Sequence, residues 1–588
     1  MSRFPTGLRR VRESARRVAW VWWAIAYFVL LTLAVTWPLV LRMGNSVAGR
    51  HGDSLVFIWL IGWVQKALFV LHQSPLFTQL INHPEGWRLA STEMAPAMIL
   101  TGLPFSLFWG PVLGYNLSVL LSFAGSGLVV CWWVYRLTGR LIPSLAAGSI
   151  FAFSSFRVAH FIAGHLNLLG TQWIALYFMS LYEVLESSGR SRAWMVLGGV
   201  SLGLVALTSQ YYLYMTAVLS VLFVLVHALV RGPSFVLQRA YLARLLGVLA
   251  VAAPLVFLAE YPYIEAMQAG KLPTRSVDAA VRNSAGVADY LLPATWNTIA
   301  GDFVAEHFDR SMWIESSLYL GVGASAMALI ALVVPEDKPG RRATKYHLAI
   351  LAGAALALSL GPVFQCFSGE APPRLPPALA GIAEACEVTL PLPGELLYRF
   401  LPFYTSVRVP ARYGVYVILF LSVLAGLGIA YLAARGRGVG RSAVILLVLA
   451  VVAIDLEPWQ VETALVAPRE LDYWLAAQPG EGAVVEFPPD RQANWFLAYY
   501  GLTHGKPILG GQNVTRFPGQ DELLTSDEGI PSKETLDRLR AIRVQFIIVD
   551  TGWYEDIDAL DDLDEALVGL GIDEAARFEG YRVYLLEP

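Results

Sequence analysis

The sequence predicts a polytopic α-helical membrane protein that ends in an extracytoplasmic α/β domain. Three observations lead to this fold class. The 588 residues are 56% hydrophobic and 15% charged, whereas soluble proteins carry about 25% charged residues. Apolar runs long enough to cross a hydrocarbon core of about 30 Å recur up to residue 456. From residue 457 the composition changes to acidic segments that are punctuated by glycine and proline.

Charge and cysteine content narrow the classes of partner and site. The net charge of −3 provides no excess of cations to neutralise a phosphate backbone, so we exclude nucleic acid as a partner. The three cysteines are too few for a disulfide scaffold and lack the spacing of a zinc site. Only Cys366 and Cys386, which share one loop, are placed to form a disulfide.

Eleven apolar segments have the length and composition of membrane spans. The first follows a basic N-terminus without a small-residue cleavage site, which indicates a retained span rather than a signal peptide. If segments 55–71 and 95–112 also cross the membrane, the number of spans is thirteen. We favour a surface position for 55–71, because Trp59, Trp63 and Trp87 suit a membrane interface. The eleven predicted spans are 18–41, 115–135, 142–156, 168–186, 193–210, 213–230, 244–259, 316–334, 347–363, 413–434 and 442–456.

Basic residues between the spans predict the orientation, because short cytoplasmic loops collect Lys and Arg. With the N-terminus in the cytoplasm, stretches such as "SGRSR" and "ARGRGVGR" fall on the cytoplasmic side. The large outer loops are then 42–114, 260–315 and 364–412, within a transmembrane domain of residues 1–456. An odd number of spans leaves residues 457–588 outside. We therefore expect a multi-pass protein of the plasma or inner membrane.

The C-terminal region alternates short β-rich runs with helical patterns. The runs "GAVVEF" (482–487), "VQFIIVD" (544–550) and "YRVYLLE" (581–587) flank the helical pattern "SKETLDRLRAI". This alternation predicts a small α/β domain. The region contains neither a glycine-rich phosphate loop nor a nucleophile elbow, so we expect the chemistry to lie in the transmembrane domain.

Ionisable residues on the predicted outer side are the candidates for chemistry, because charge at membrane depth is costly. A carboxylate can act as a general base on a hydroxyl, whereas arginine and histidine can hold a phosphate leaving group. Asp53 follows the first span, and Arg408 and Arg412 precede the tenth, so the fold can bring them together. The other candidates are His51, His83, Glu93, Arg157, His160, His165, Asn167, Gln210, Tyr212, Arg310 and Glu315.

Several of these candidates have an alternative role. Asp53 can serve as a helix N-cap, a role that is compatible with catalysis. His160 and His165 are five residues apart, which is not the i, i+4 spacing of a helical metal pair, so hydrogen bonding or phosphate contact is favoured. Arg408 and Arg412 can anchor a span at the lipid headgroups.

The pattern as a whole resembles the GT-C class of integral membrane glycosyltransferases. This class includes protein O-mannosyltransferases, oligosaccharyltransferases and the aminoarabinose transferase of lipid A. The resemblance rests on the basic N-terminus, the single span before an outer loop that opens with "HGDS", the further spans and the outer α/β domain. Three short stretches, "GHLN", "YLG" after Glu315 and "RVPARYG", also resemble sequences of the bacterial YfhO-like membrane proteins.

The resemblance implies transfer of a sugar, a hexose or a pentose, from a polyprenyl-phosphate-linked donor to a cell-envelope acceptor on the outer face. Asp53 matches the acid of the first outer loop, although the acidic doublet of several members is here "GD" followed by serine. Arg408 and Arg412 match the cations that bind the lipid phosphate, with Arg157 and His165 next. We assign no metal ligands and expect no cofactor. The alternative is that the reaction uses a divalent metal ion.

Two other functions stay open at this point. In a transporter or flippase of lipid-linked envelope precursors, the same charges would line a pathway. The two halves of the sequence show no repeat symmetry of the kind that many transporters carry, which favours an enzyme. A non-catalytic protein that organises envelope assembly would keep the same fold.

Overall fold

The computed structural model describes residues 6–89, 93–186, 191–232, 238–268, 276–336, 339–369, 373–374, 390–401, 404–435, 446, 450, 461–487, 494–510, 533–553, 565 and 567–587. The chain forms two compact units. The first contains residues 1–41, 95–98 and 118–462, and the second contains 42–94, 99–117 and 463–588. Most of the first outer loop thus groups with the C-terminal region, while the domain boundary at 456 stays a prediction.

Helices make up most of the described chain. They are α1 Thr6–Val35, α2 Asp53–Phe69, α3 Pro96–Trp109, α4 Pro111–Thr138, α5 Leu141–Ala152, α6 Ser155–Ile162, α7 Leu166–Leu169, α8 Gln172–Glu186, α9 Ser191–Ala206, α10 Gln210–Arg231, α11 Arg239–Gln268, α12 Val277–Arg282, α13 Gly301–His307, α14 Val322–Val333, α15 Pro339–Ser359, α16 Pro393–Phe400, α17 Gly414–Arg435, α18 Glu470–Ala477, α19 Asn494–His504 and α20 Lys533–Ala541.

Helices occupy the predicted spans. Every predicted span from 18–41 to 413–434 contains one, whereas only residues 446 and 450 of the span 442–456 are described. Among the described residues, five helical stretches have the length and hydropathy of a membrane span, and the bent pair α5–α6 makes a sixth. The five are Pro111–Thr138, Leu166–Glu186, Gln210–Arg231, Arg239–Glu265 and Pro410–Arg435. The protein is therefore a polytopic membrane protein, and the number of eleven spans stays a prediction.

The centre of the first unit is α17, which is buried along most of its length and packs against α5, α14 and α15. Small residues allow this close packing. A Cβ atom on Gly428 would collide with the carbonyl oxygen of Met327 in α14. A Cβ atom on Gly426 would lie 2.8 Å from a methyl group of Val134 and 2.9 Å from the Cβ atom of Ala147. This helix carries the turn Pro410–Tyr413 at its N-terminal end, and that turn contributes to the candidate site.

The predicted span 142–156 is broken in the structure. Helix α5 ends at Ala152, and α6 continues at an angle of 43° after two residues. All side chains from Phe156 to Phe161 are buried. Irregular backbone at membrane depth is tolerated where protein rather than lipid surrounds it. The break therefore places α6 and the polar residues around it inside the first unit.

The described residues of the second unit form three sheets. Strands β5 (Ala483–Phe487) and β6 (Val544–Asp550) are parallel, and β8 (Tyr581–Leu585) pairs antiparallel with both β6 and β7 (Asp573–Phe578). The strands β5, β6 and β8 lie at the three predicted β-rich runs. The two remaining sheets are antiparallel pairs, formed by β1 Ser46–Ala48 with β4 Thr463–Leu465 and by β2 Phe77–Thr78 with β3 Trp87–Arg88.

Helix α2 is a core helix of the second unit. The prediction that its tryptophans face the membrane interface is wrong, because Trp59 and Trp63 are each 1% exposed and stack with their ring centroids 6.3 Å apart. Trp87 is buried as well, at 5% exposure. Gly62 contacts Leu502 of α19, so the packing partner of α2 is a helix of the same unit. Asp53 is the first residue of this buried helix.

Candidate functional site

Four predicted site residues meet within the first unit, and we call them the Glu315 cluster: Arg412, Glu315, His160 and His165. Arg412 donates from Nη2 to Glu315 Oε1 at 2.7 Å and from Nε to the same carboxylate. The other carboxylate oxygen lies 3.8 Å from His160 Nε2. His160 and His165 share a hydrogen bond between their Nδ1 atoms at 2.8 Å. The cluster is a continuous chain from a guanidinium to an imidazole.

The arginine end of the cluster is built by the turn before α17. Pro410 opens this turn, and proline is well suited to the first position of a helical turn because its φ angle is already fixed. The Arg412 side chain is 8% exposed, and its guanidinium lies over the Tyr211 ring at 4.5 Å. An arginine between a carboxylate and an aromatic face is held in one orientation.

The two histidines meet because α6 ends in a Schellman motif. Gly164 adopts a positive φ of 80°, the His165 N–H donates to the His160 carbonyl and the Gly164 N–H donates to that of Phe161. This motif brings residues five apart, on either side of the glycine, into contact. The five-residue spacing that argued against a helical metal pair is therefore the spacing of a helix-terminating contact. The glycine in "HFIAGH" is the signal in the sequence that points to it.

The Arg157 side chain is bound to the surrounding helices, and its contact with a donor phosphate stays a prediction. Its side chain is completely buried. Nε donates to the Ala152 carbonyl at the end of α5, and the terminal nitrogens donate to acceptors on α4 and on the segment around α7. These acceptors are Ser122 Oγ, Ser126 Oγ, Thr171 Oγ1 and the Leu169 carbonyl. Because these donors are engaged, Arg157 joins α6 to its neighbours.

Tyr212, Gln210 and Asn167 lie on the helices beside the cluster. The Tyr212 hydroxyl is buried and donates to the Leu168 carbonyl at 2.7 Å, which ties α10 to α7. Gln210 is the first residue of α10, and its buried Nε2 atom finds no hydrogen-bond partner among the described residues. Asn167 is a buried residue of α7.

Arg310 belongs to a second ion pair, on the segment that leads to Glu315. It donates to Asp289 Oδ1 at 3.0 Å, and Ser368 Oγ donates to the same atom at 2.9 Å. Burial raises the pKa of Asp289 to about 6, against the opposing effect of the Arg310 charge. Arg310 also donates weakly to the Ser316 carbonyl, next to Glu315. We assign this pair to positioning of the Glu315 segment.

Arg408 differs from Arg412 in its surroundings, although only four residues separate them. Its side chain is exposed, and it forms no ion pair with any residue that the structure describes. An exposed arginine keeps its donors available for a ligand. Of the two predicted phosphate-binding arginines, Arg408 is thus the accessible one and Arg412 the buried one.

The remaining candidates lie in the second unit. Asp53 is exposed and close enough to Tyr115 to act on it electrostatically. It follows the N-cap, which is Gly52, so the interpretation of Asp53 as the N-cap is wrong. His51 and His83 donate to the carbonyls of Leu465 (2.7 Å) and Ile542 (2.6 Å). Glu93 is half-buried.

The described residues contain no group of three or more His, Cys, Asp or Glu side chains that could hold a metal ion. In the Glu315 cluster, the facing Nδ1 atoms of the histidines are only 2.8 Å apart, a hydrogen-bond distance. The geometry around these two histidines is that of a proton-sharing pair.

The protein is similar in structure to membrane glycosyltransferases. The arabinofuranosyltransferase AftD from Mycobacteria aligns with a TM-score of 0.59 at 14% identity, over 97% of this chain and 40% of that chain. This chain thus spans about two fifths of the AftD chain. ArnT from Cupriavidus metallidurans, in a structure bound to undecaprenyl phosphate, aligns at 0.48 and 12% identity, over 97% and 98% of the respective chains. The protein has the GT-C fold, while the narrower likeness to YfhO-like proteins stays a prediction.

Comparison of the sequence assigns the chain to a protein family, which is a narrower group than a shared fold. No curated protein matches the sequence. The family model described as "Domain of unknown function (DUF6311)" matches residues 59–370, more than half of the chain, and the protein therefore belongs to this family.

Proposed function

We propose that the protein is a glycosyltransferase that moves a sugar from a polyprenyl-phosphate-linked donor to a cell-envelope acceptor on the outer face of the membrane. The observation that carries the proposal is the Glu315 cluster, in which cationic and proton-exchanging groups are held together in a chain of GT-C fold. Guanidinium groups are suited to a phosphate that gains charge as it departs. The AftD alignment makes a pentose the first donor to test.

In the proposed reaction, the acceptor hydroxyl gives its proton to the Asp53 carboxylate while its oxygen attacks the anomeric carbon of the donor. The bond between that carbon and the phosphate oxygen breaks, and its electron pair leaves with the phosphate. Arg408 and Arg412 stabilise the charge that the phosphate gains. The products are the glycosylated acceptor and the polyprenyl phosphate.

The proposed orientation places the N-terminus in the cytoplasm and residues 457–588 outside. Basic loops support it, and the state of the cysteines adds a second argument. Cys366 is disulfide-bonded, whereas Cys131 is a buried thiol. Disulfides persist in oxidising compartments. This favours an extracytoplasmic position for the loop 364–412.

Lipid-phosphate binding can be tested without knowing the sugar. We expect the purified protein to bind undecaprenyl phosphate and not undecaprenol. Replacement of Arg408 by alanine removes a charge-assisted hydrogen bond of about 1.5–3 kcal/mol, so binding should weaken roughly ten- to hundred-fold. In a transfer assay the same variant should need more lipid donor.

The matched control is Arg399→Ala, which removes an arginine from the same predicted loop. Arg399 is 66% exposed and pairs with Glu395. Its loss should leave undecaprenyl phosphate binding unchanged. Equal weakening in both variants would mean that the loop carries only a diffuse positive charge, and an equal loss of transfer at every donor concentration would assign Arg408 a structural role.

The orientation can be tested with introduced cysteines. Gln79 is exposed in the first outer loop, and Arg341 is exposed in a predicted cytoplasmic loop. We expect Gln79→Cys to react with an impermeant thiol reagent in intact cells, and Arg341→Cys to react only after lysis. Labelling of Gln79→Cys only after lysis would place the segment 55–71 across the membrane.

A second candidate function is a transporter of lipid-linked envelope precursors. The bent pair α5–α6 favours it, because transporters use broken helices at their binding sites. Reconstitution in vesicles separates the two functions. Movement of a fluorescent undecaprenyl phosphate between leaflets would support the transporter, and transfer of labelled sugar would support the enzyme.

A further inference from the structure

One buried nitrogen in the Glu315 cluster lacks a hydrogen bond. His160 is completely buried, and its Nε2 atom has no hydrogen-bond partner among the described residues. Glu315 Oε2 is 3.8 Å away, which is too long for a hydrogen bond. An unpaired buried polar atom costs about 1–3 kcal/mol. A hydrogen bond between His160 Nε2 and the Glu315 carboxylate would remove this cost.

Glu315 is hydrogen-bonded to Arg412 and not to His160. The carboxylate accepts two donors of that guanidinium, at 2.7 Å and 3.1 Å. A phosphate competes for the same fork of donors, because it offers the same pair of oxygens that a carboxylate does. A phosphate on Arg412 would release Glu315 to move by about 1 Å, from the present 3.8 Å to a hydrogen-bond distance from His160 Nε2.

We propose that Glu315 is an exchangeable ligand of Arg412, which passes to His160 when a lipid phosphate binds, and that the His160–His165 pair takes up a proton when that phosphate is a dianionic monoester. This inference rests on the proposed function. With its Nε2–H facing the carboxylate, His160 accepts at Nδ1 from the Nδ1–H of His165. The proton enters at His165, and Glu315 stabilises the resulting positive charge through His160. His160 is thus a positioning residue.

The formal charges around His160 support this sequence of events. The titratable and charged groups that face it are His165, Glu315, Arg412 and Arg157. Two arginines and one carboxylate leave one surplus positive charge before a ligand binds. A phosphodiester donor cancels this surplus, and the dianionic monoester that forms on transfer exceeds it by one negative charge. One proton on the histidine pair restores balance.

Calorimetry in two buffers of different ionisation enthalpy counts the protons that accompany binding. The probe is undecaprenyl phosphate at about pH 8.5, where a monoester with a second pKa of about 6 is already a dianion. We expect binding to take up a proton, approaching about one per ligand. A methyl undecaprenyl phosphodiester, which carries one charge and does not titrate in this range, should bind without uptake.

The decisive variant is His165→Gln, which removes the imidazole at which the proton enters. We expect it to bind undecaprenyl phosphate without the proton uptake. Glu315→Gln should lose the uptake in the same way, which keeps the test valid if one variant fails to fold. The control is His347→Gln, at a buried histidine of α15 that bonds the Phe223 carbonyl at 3.0 Å, and it should retain the uptake.

Binding without uptake in the unmodified protein, or with equal uptake in His165→Gln, would overturn this inference and leave the proposed function standing. Binding no stronger than that of undecaprenol would overturn both.

Discussion

Asp53→Asn should reduce sugar transfer by about 10²–10⁴-fold, the range that general base catalysis contributes. The change is nearly isosteric, and it removes the proton acceptor together with its negative charge. Asp53 is exposed at the first turn of α2, where a negative charge adds about 0.3–1 kcal/mol to helix stability, so the protein should fold and insert normally. Transfer of labelled sugar from lipid-linked donors to membrane acceptors is the measurement.

Asp278→Asn is the matched control for this variant. Asp278 is also exposed and lies in the first turn of a helix, α12, within an outer loop. Its replacement should leave transfer unchanged. Cells that carry only Asp53→Asn and still show an unaltered envelope glycan profile would refute the assignment of Asp53 as base, because no step in the proposed mechanism bypasses its carboxylate.

Glu315→Ala should destabilise the first unit by about 3–5 kcal/mol, because it leaves a buried guanidinium without its anion. Arg412→Met should have a comparable effect for the converse reason. The double variant should be more stable than the sum of both losses implies, since two uncharged side chains leave no unpaired ion. Unfolding in detergent with increasing denaturant measures all three.

The comparison pair is Arg399 and Glu395 in α16, where the side chains are 66% and 27% exposed. Glu395→Ala should cost less than about 1 kcal/mol, as exposed ion pairs do. Similar losses at Glu315 and Glu395 would show that the Glu315 cluster is far more hydrated than its burial indicates.

The membrane fold was predictable from the sequence because a lipid environment leaves helices as the simplest way to satisfy the backbone. Uninterrupted apolar runs therefore mark helices directly, as at α10 and α17. Helix α2 is the exception, because its composition does not indicate a membrane interface. Its residues are apolar on every side, which indicates burial within protein rather than a one-sided position at an interface. Trp59 and Trp63 are therefore buried in the core together with the rest of the helix.

The candidate site was predictable as a set of residues but not as an arrangement. Glu315 and Arg412 are 97 residues apart, and no local pattern records that their segments meet. The contact of His160 with His165 was within reach, because Gly164 marks a helix end with a known geometry. The hydrogen bonds of Arg157 were not predictable, because its acceptors are hydroxyls and carbonyls from separate helices, which sequence periodicity does not reveal.

The break between α5 and α6 has a consequence for biogenesis. A helix of eight residues, Ser155–Ile162, is far too short to enter a bilayer by itself, and it carries an arginine and a histidine. Its buried position is complete only when the helices that carry the acceptors of Arg157 have assembled around it. Substitutions at Arg157 should then yield protein that is inserted with normal topology but is degraded before assembly is complete.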